Sequence, residues 1–377
     1  MSAEIPFIRP SFPAAEDLAA DVKAISDANW YTNFGPMERQ FSAVLAGYVG
    51  RGVTASTCSN GTIGLLAAVH AVLGQGDGSR FLLLPSFTFV ATAQAAQWCG
   101  YRPLFCDLDP TTIQPSVEDA ASLIEAHGQR VAGILVCNTF GVGNSQIGQW
   151  EALAESHGLP LLIDSAAGFG SDYVDGEPVG ARGACEIFSF HATKPMGIGE
   201  GGAVLSRSPR IVEAVHEFQN FGFTDGRDST HLGLNGKLSE FHAAVGLRQL
   251  ESLDARIASR RRVLARYASA LESLGLDFQD NADRSSVCFA GAVCRSSDHK
   301  VAVLASLRAN GVQARDYYNP PVHRQTHYAQ NPEIWASSEL AVTLDVCARI
   351  VSLPVHDFMP DADVDRVVLA ISGLPAA

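Results

Sequence analysis

Lysine is nearly missing from this chain of 377 residues. It stands only at positions 23, 194, 237 and 300, and arginine supplies the rest of the 27 basic side chains. Charge of either sign is sparse, at 18%, and 40 acidic residues against 27 basic ones leave a formal charge of −13. That balance argues against a general nucleic-acid binder, which needs clustered Lys and Arg to displace counterions, and against adsorption to an anionic membrane surface. No run approaches the ~20 apolar residues that span a bilayer. The N-terminus, MSAEIPFIRP, lacks a basic stretch followed by an apolar core, so no secretory leader is expected and the expected location is the cytoplasm. None of the eight cysteines forms C-x-x-C or joins a His at zinc spacing. Buried free thiols and no metal site are expected. No G-x-G-x-x-G directly joins a strand to a helix and no G-x-x-x-x-G-K-[ST] loop occurs, so nicotinamide and P-loop chemistry both lack their key feature. Internal repeats and low-complexity tracts are absent as well.

What is present is a large apolar fraction, 47%, enough for a sizeable core, and a length that suggests about two domains. Two amphipathic helices are predicted first, over Glu16–Asn29 and Met37–Tyr48, separated by the turn-like Trp30-Tyr31-Thr32-Asn33-Phe34-Gly35-Pro36. Seven short apolar runs then alternate with helical segments: Val53–Thr57, Phe81–Leu84, Arg102–Cys106, Gly133–Cys137, Leu161–Ile163, Glu186–Phe190 and Gly202–Leu205. Strands that are apolar throughout imply a mainly parallel, seven-stranded sheet covered by helices on both faces. From Ser239 to about Leu274 the pattern is a long Arg-rich helical stretch, weakly broken near Ser252. The remainder mixes strands (Ser286–Val293, Val351–Leu353) with helices (His299–Ala309, Asp363–Ser372). The expected division is an N-terminal arm and large α/β domain over 1–245 and a smaller α+β domain over 246–377.

In sheets of this kind ligands sit beyond the carboxyl ends of the strands. The polar residues there are Ser59-Asn60-Gly61-Thr62, Pro85-Ser86-Phe87-Thr88-Phe89, Asp107, Asn138, Asp164-Ser165 and Ser189 to Lys194. Ser59 to Thr62 opens a helix and suits a phosphate, or is an ordinary cap made by Thr62. Asp164 ends an apolar run and needs a partner: a structural hydrogen bond, a metal, or a protonated heterocycle nitrogen. Lys194 carries the most information. Where any cation would serve, this chain uses Arg; a retained Lys at a strand end, before Gly197-Ile198-Gly199-Glu200-Gly201-Gly202, points to chemistry that Arg cannot do, namely a Schiff base. An aldehyde cofactor such as pyridoxal phosphate needs a Lys imine, an acid for its ring nitrogen, a phosphate cradle, and a flat apolar surface that Phe87 or Phe89 could supply.

With these residues in view, the chain resembles the sugar-nucleotide aminotransferases of the DegT/StrS group, which have the type I fold of pyridoxal-phosphate enzymes. The resemblance extends from Trp30–Pro36 through the strand-end segments above to Leu234-Asn235-Gly236-Lys237-Leu238-Ser239-Glu240, Pro320-Pro321-Val322-His323 and Leu353-Pro354-Val355-His356. It implies that Lys194 holds pyridoxal 5'-phosphate as an imine and shuttles the proton. It further implies that Asp164 pairs with the pyridinium nitrogen, that Phe89 stacks on the ring, and that Gly61, Thr62 and Ser189 hold the phosphate. Asn235 would reach the phosphate of the neighbouring subunit, making a homodimer the active unit. His191, His323 and Lys237 are weaker candidates for substrate contacts, and either His could be a hydrogen-bonded loop residue. The implied reaction moves an amino group from an amino acid, L-glutamate foremost, to a nucleotide-linked keto-sugar. Retention of Lys194 favours transamination over dehydration. One departure stands out: the family commonly has Gln or His three residues after the aspartate, close to the cofactor, and this chain has Ala167. That leaves open a lyase, or a transaminase for a cyclitol or other non-nucleotide ketone. A cofactor-binding regulator without turnover is the reading from outside enzymology.

Overall fold

The computed structural model describes residues 4–224 and 226–374. Its first two helices, α1 (Ala15–Ala28) and α2 (Pro36–Val49), form an arm. Proline at the first position of α2 has a preset φ and no N–H to satisfy. The two free N–H groups that follow it, on Met37 and Glu38, donate to the carboxylate of Glu240 at 2.8 and 2.9 Å. A negative group at a helix N-terminus is favoured by the aligned peptide dipoles. Only glycine fits before the proline, since a Cβ on Gly35 would lie 2.4 Å from the Glu240 carboxyl carbon.

The chain then alternates strand and helix: β1 (Thr54–Cys58), α3 (Gly61–Leu73), β2 (Phe81–Pro85), α4 (Val90–Trp98), β3 (Arg102–Cys106), the short hairpin β4 (Leu108–Asp109) and β5 (Gln114–Pro115), and α5 (Val117–His127). It continues through β6 (Val131–Cys137), α6 (Ile147–Ser156), β7 (Leu161–Asp164), β8 (Cys185–Ser189), β9 (Gly202–Ser206) and α7 (Pro209–Phe218). Helices α8 (Glu240–Glu251) and α9 (Leu253–Leu271) meet at Ser252, where the sequence suggested a break. A small C-terminal layer follows: β10 (Leu276–Phe278), β11 (Ala290–Cys294), α10 (Ser297–Ala309), α11 (Thr326–Gln330), β12 (Ala336–Ser337), α12 (Ala341–Arg349), β13 (Ile350–Leu353) and α13 (Asp361–Ser372).

All seven expected strands enter one sheet, which has eight, in the order β1-β9-β8-β7-β6-β2-β3-β12. The eighth, β12, returns from the C-terminal part to pair with β3 at the edge, so the expected count of seven is one short. The first boundary residue read for the small domain, 246, falls inside α8. The small sheet, β10-β11-β13, is antiparallel. Alternation along β2 shows why its strand is apolar throughout: Phe81 and Leu83 belong to one core cluster, Leu82 and Leu84 to another on the opposite face. A third cluster, including Val263, Tyr267, Ala292 and Leu353, packs the small domain. All eight cysteines are buried free thiols. No helix among the described residues is long and apolar enough to cross a membrane.

Candidate active site

The strand β9 runs antiparallel to both of its neighbours, β1 and β8. Those two therefore point the same way, and the parallel pairs β7–β8, β6–β7, β2–β6 and β2–β3 extend that direction across the sheet. With β12 parallel to β3, the carboxyl ends of seven strands share one edge. Gly202 is the register partner of both Cys58 and Ser189, so the chain segments after β1 and β8 lie side by side.

That adjacency builds an anion cradle. The Asn60 side chain accepts the Ile63 N–H at 2.9 Å, so Asn60 caps α3, not Thr62 as the plain reading of the sequence had it. Thr62 is exposed with its hydroxyl unengaged, one residue into a helix whose first N–H groups face outward. A Cβ on Gly61 would lie 2.7 Å from the Ser189 Cβ, so glycine alone lets the first turn of α3 close on the end of β8. Ser189 Oγ accepts the His191 N–H at 3.3 Å and its own proton is free for a ligand.

Asp164 ends β7 and is buried, 4% exposed. Its Oδ2 accepts the Thr92 hydroxyl at 2.7 Å and its Oδ1 the Ala166 N–H at 3.1 Å. Burial pushes its carboxyl above the usual range; the two hydrogen bonds and the positive charge of Lys194 oppose that. Thr92 lies in the first turn of α4 and is linked at 2.9 Å to Thr88, which meets Cys137 Sγ at 3.1 Å. Thr92 is a positioning residue that sequence reasoning passed over, although a threonine one turn after Thr88 was the available sign. The same turn distinguishes the two phenylalanines by exposure. Phe87 is wholly buried, whereas Phe89, directly before α4, presents a ring that is 61% exposed.

Lys194 is half-buried on the turn after β8. The other three lysines are engaged: Lys23 with Asp27, Lys237 over the Phe221 ring at 4.6 Å, and Lys300 with Asp316 and the Cys347 carbonyl. Among the described residues, the Lys194 amine has no hydrogen-bond or ion-pair partner, though its charge reaches Asp164. Its turn is firmly held. Arg256, 3% exposed, donates to the Pro195 carbonyl at 3.0 Å, and Gln249 donates to the Gly197 carbonyl at 2.6 Å. Arg256 and Arg260 share the carboxylate of Asp357, which offsets the cost of burying them.

Two strand-end residues prove structural. Asp107 accepts the N–H groups of Val342 and Thr343 at the start of α12. Asn138 donates to Ser165 and Tyr173, both of which donate to the buried Glu186, whose carboxyl burial raises to about 6. The candidates for substrate contact are placed as follows. His191 is exposed, its Nδ1 2.9 Å from the Thr193 hydroxyl and its Nε2 3.7 Å from Glu200. Lys237 covers the Phe221 ring, and burial lowers its pKa. Asn235 is exposed, next to Gly236, whose carbonyl accepts the Ser59 N–H at 2.7 Å.

His323 is 7% exposed, with Nδ1 2.7 Å from Ser86 Oγ and Nε2 accepting from Arg324 Nε at 3.3 Å. Burial, and secondarily the Arg324 charge, lowers its pKa to about 4. The depressed value means that stability is present above the unfolded-state pKa and is lost as pH falls through about 6.5 towards 4. Between pH 7.5 and 5 the wild-type protein should lose about 2 kcal/mol more stability than His323→Gln. Urea midpoints at the two pH values measure this, and parallel losses would show that His323 does not titrate in the folded protein as described.

The sequence profile described as the DegT/DnrJ/EryC1/StrS aminotransferase family matches residues 14–372. Protein Rv3402c of Mycobacterium tuberculosis is 58% identical over 368 residues, covering 98% of this chain and 89% of its own. The UDP-2-acetamido-2-deoxy-3-oxo-D-glucuronate aminotransferase of Pseudomonas aeruginosa is 28% identical over 341 residues, covering 90% of each chain. Among solved structures, DesI in the presence of its TDP-sugar product superimposes with a TM-score of 0.88 at 30% identity, covering 98% of this chain and 93% of its own.

Proposed function

As a member of the DegT/DnrJ/EryC1/StrS aminotransferase family, with the type I fold of pyridoxal-phosphate enzymes, the chain is an aminotransferase, and we propose that it moves the amino group of L-glutamate to a ketone carbon of a nucleotide-linked sugar. Pyridoxal 5'-phosphate would be held on Lys194, in a cytoplasmic homodimer. The observation that carries this reading is Lys194: a scarce residue kept where arginine would suffice for charge, on a braced turn, with its amine unpartnered beside a buried carboxylate.

The residues at the strand edge fit the cofactor. The N-terminal turn of α3, with Gly61, Thr62 and Ser189, offers N–H and O–H donors to a phosphate. Phe89 offers an open ring face. Asp164 is a buried anion lacking a full countercharge, the environment a ring N–H⁺ would complete. Bound there, the cofactor supplies an electron sink for the C–H bond being broken. Asp164 holds the proton on the heterocycle nitrogen, and Thr92 keeps the carboxylate aimed. The free Nζ of Lys194 takes the proton from the donor's α-carbon and returns one at the acceptor. Phe89 excludes water from one ring face. Support for a nucleotide sugar comes from relatives whose names specify UDP- and TDP-linked sugars. Support for a second copy comes from exposed apolar side chains on the arm and nearby loops, Trp30, Tyr31, Phe221, Leu232 and Phe241, with Asn235 among them. Ala167 favours a second reading, in which the acceptor is a non-nucleotide ketone such as a cyclitol.

The test follows the visible absorbance of cofactor-loaded protein on addition of L-glutamate, then of UDP-, dTDP- and GDP-linked keto-sugars. Glutamate should bleach the band, and one of the sugars should restore it with release of an amino-sugar. Restoration by a cyclitol ketone alone would replace the sugar nucleotide with the second reading. No visible band after adding pyridoxal phosphate would overturn both.

A further inference from the structure

Asp164 and the α3 turn account for two of the polar groups on a pyridoxal ring, its nitrogen and its phosphate arm. The third is the 3-hydroxyl, which lies across the N1–C4 axis from the phosphate arm and beside the carbon that Lys194 would engage. The side chain three residues after Asp164, Ala167, has no polar atom to meet it. Two nearby polar side chains are committed elsewhere. Both donor contacts of the Asn138 amide go to Ser165 and Tyr173, and Thr88 is tied to Thr92 and Cys137.

Tyr318 is different. Its ring sits 5.7 Å from Phe87, edge-on, and 5.4 Å from Phe140. Those two residues follow β2 and β6, which are adjacent in the sheet, so the tyrosine lies over the carboxyl ends of that pair. Cys137, the last residue of β6, is the register partner of Asp164. Ala167 packs against the same apolar cluster as Tyr318. The tyrosine's main chain is anchored by Cys347, whose thiol meets the Tyr318 carbonyl at 3.0 Å. Its hydroxyl has no hydrogen-bond partner among the described residues. Burial raises the phenol well above its ordinary pKa, with Cys137, Cys288, Asp164 and Tyr317 adding to the rise. Cys288 in turn touches the carbonyl of Thr193, next to Lys194. A neutral O–H donor, held by aromatic packing over the carboxyl ends of β2 and β6, is thus left without an acceptor among the described residues.

We propose that Tyr318 donates its hydrogen bond to the ring 3-oxygen of the bound cofactor, the contact for which Ala167 provides no side chain. The inference rests on the pyridoxal-phosphate reading of the site. A donor there stabilises negative charge on the 3-oxygen and draws it away from the neighbouring nitrogen of the Lys194 linkage, so that nitrogen loses its proton at lower pH.

The test is a pH titration of the visible band in cofactor-loaded wild type, Tyr318→Phe and Tyr317→Phe. Tyr318→Phe removes one oxygen that has no hydrogen-bond partner among the described residues, so its far-ultraviolet circular dichroism and urea midpoint should match wild type. Its titration midpoint should rise by about one pH unit, the size of one charge-assisted hydrogen bond. Tyr317→Phe, whose ring stacks on Tyr318 at 5.7 Å, should leave the midpoint where it was. An unmoved midpoint in Tyr318→Phe, with a normal band in wild type, would overturn this contact and leave the cofactor reading standing. The same holds if Tyr317→Phe shifts the midpoint equally. A wild type that forms no band would remove both.

Discussion

Lys194→Ala will lower amino transfer by at least about 10⁴-fold, because the residue both carries the cofactor and moves the proton. The protein will remain folded. The Lys194 amine has no hydrogen-bond or ion-pair partner among the described residues, so its removal strands no buried donor or acceptor, and the turn keeps its bonds from Arg256 and Gln249. The urea midpoint should move by no more than the equivalent of about 0.5 kcal/mol, as for an ordinary surface substitution. Lys194→Arg separates charge from covalency. It preserves the cation that Asp164 feels but cannot form an imine, so it should be as inactive as the alanine variant. Turnover within tenfold of wild type in either variant would sink the role given to Lys194.

Asp164→Asn will act in opposite directions on activity and on the cofactor-free fold. Activity should fall by about 10³-fold, since a neutral amide cannot hold a proton on the heterocycle nitrogen and buried charge stabilisation is worth that much. Stability behaves otherwise. The folded-state carboxyl sits above its unfolded value, so its favourable contribution is present in acid and is lost as pH rises through the folded pKa. At pH 8 the ionised group is a burden on the cofactor-free protein. Asparagine removes the charge while still able to accept from the Ala166 N–H and donate to the Thr92 oxygen. Cofactor-free Asp164→Asn should therefore melt above wild type at pH 8, with the gap closing towards pH 4. Added pyridoxal phosphate should stabilise wild type more than the variant. A variant that melts below wild type at every pH would show that the carboxylate is already balanced without its cofactor.

The sheet was legible because its central strands are buried on both faces. Val131–Cys137 is apolar at every position, as a short strand covered by helices on both faces must be. The direction of Gly202–Ser206 was not legible, since an apolar run reads the same either way. Its reversal follows from the tight return through Gly197–Gly202 after the Lys194 turn. Ala336–Ser337 escaped notice because two residues carry no period. At the site, Lys194 and Asp164 stood out by rarity and by placement at strand ends. Residues that work through others left fainter marks. Thr92 resembles any helical threonine until Asp164 is seen beside it. Asn60, rather than Thr62, caps α3 because the helix already begins at Gly61, which puts Thr62 inside its first turn. Tyr318 becomes noticeable only when the cluster around Phe87 and Phe140 has been assembled from three distant segments.

The pairing of β1 with β9 has a consequence for how the protein is made. Thr54 is matched with Ser206, and the N-terminal groups of α2 wait for Glu240. A ribosome adding ~5–20 residues per second needs on the order of ten to thirty seconds between emitting the first strand and its partner. Throughout that interval the arm and β1 are an unclosed edge beside a nascent α/β layer that can already condense from residue 81 onward. The edge that later frames the phosphate cradle cannot close before residue 206 is made, so nascent chains stalled before that point would expose an unpaired strand to chaperones or to one another.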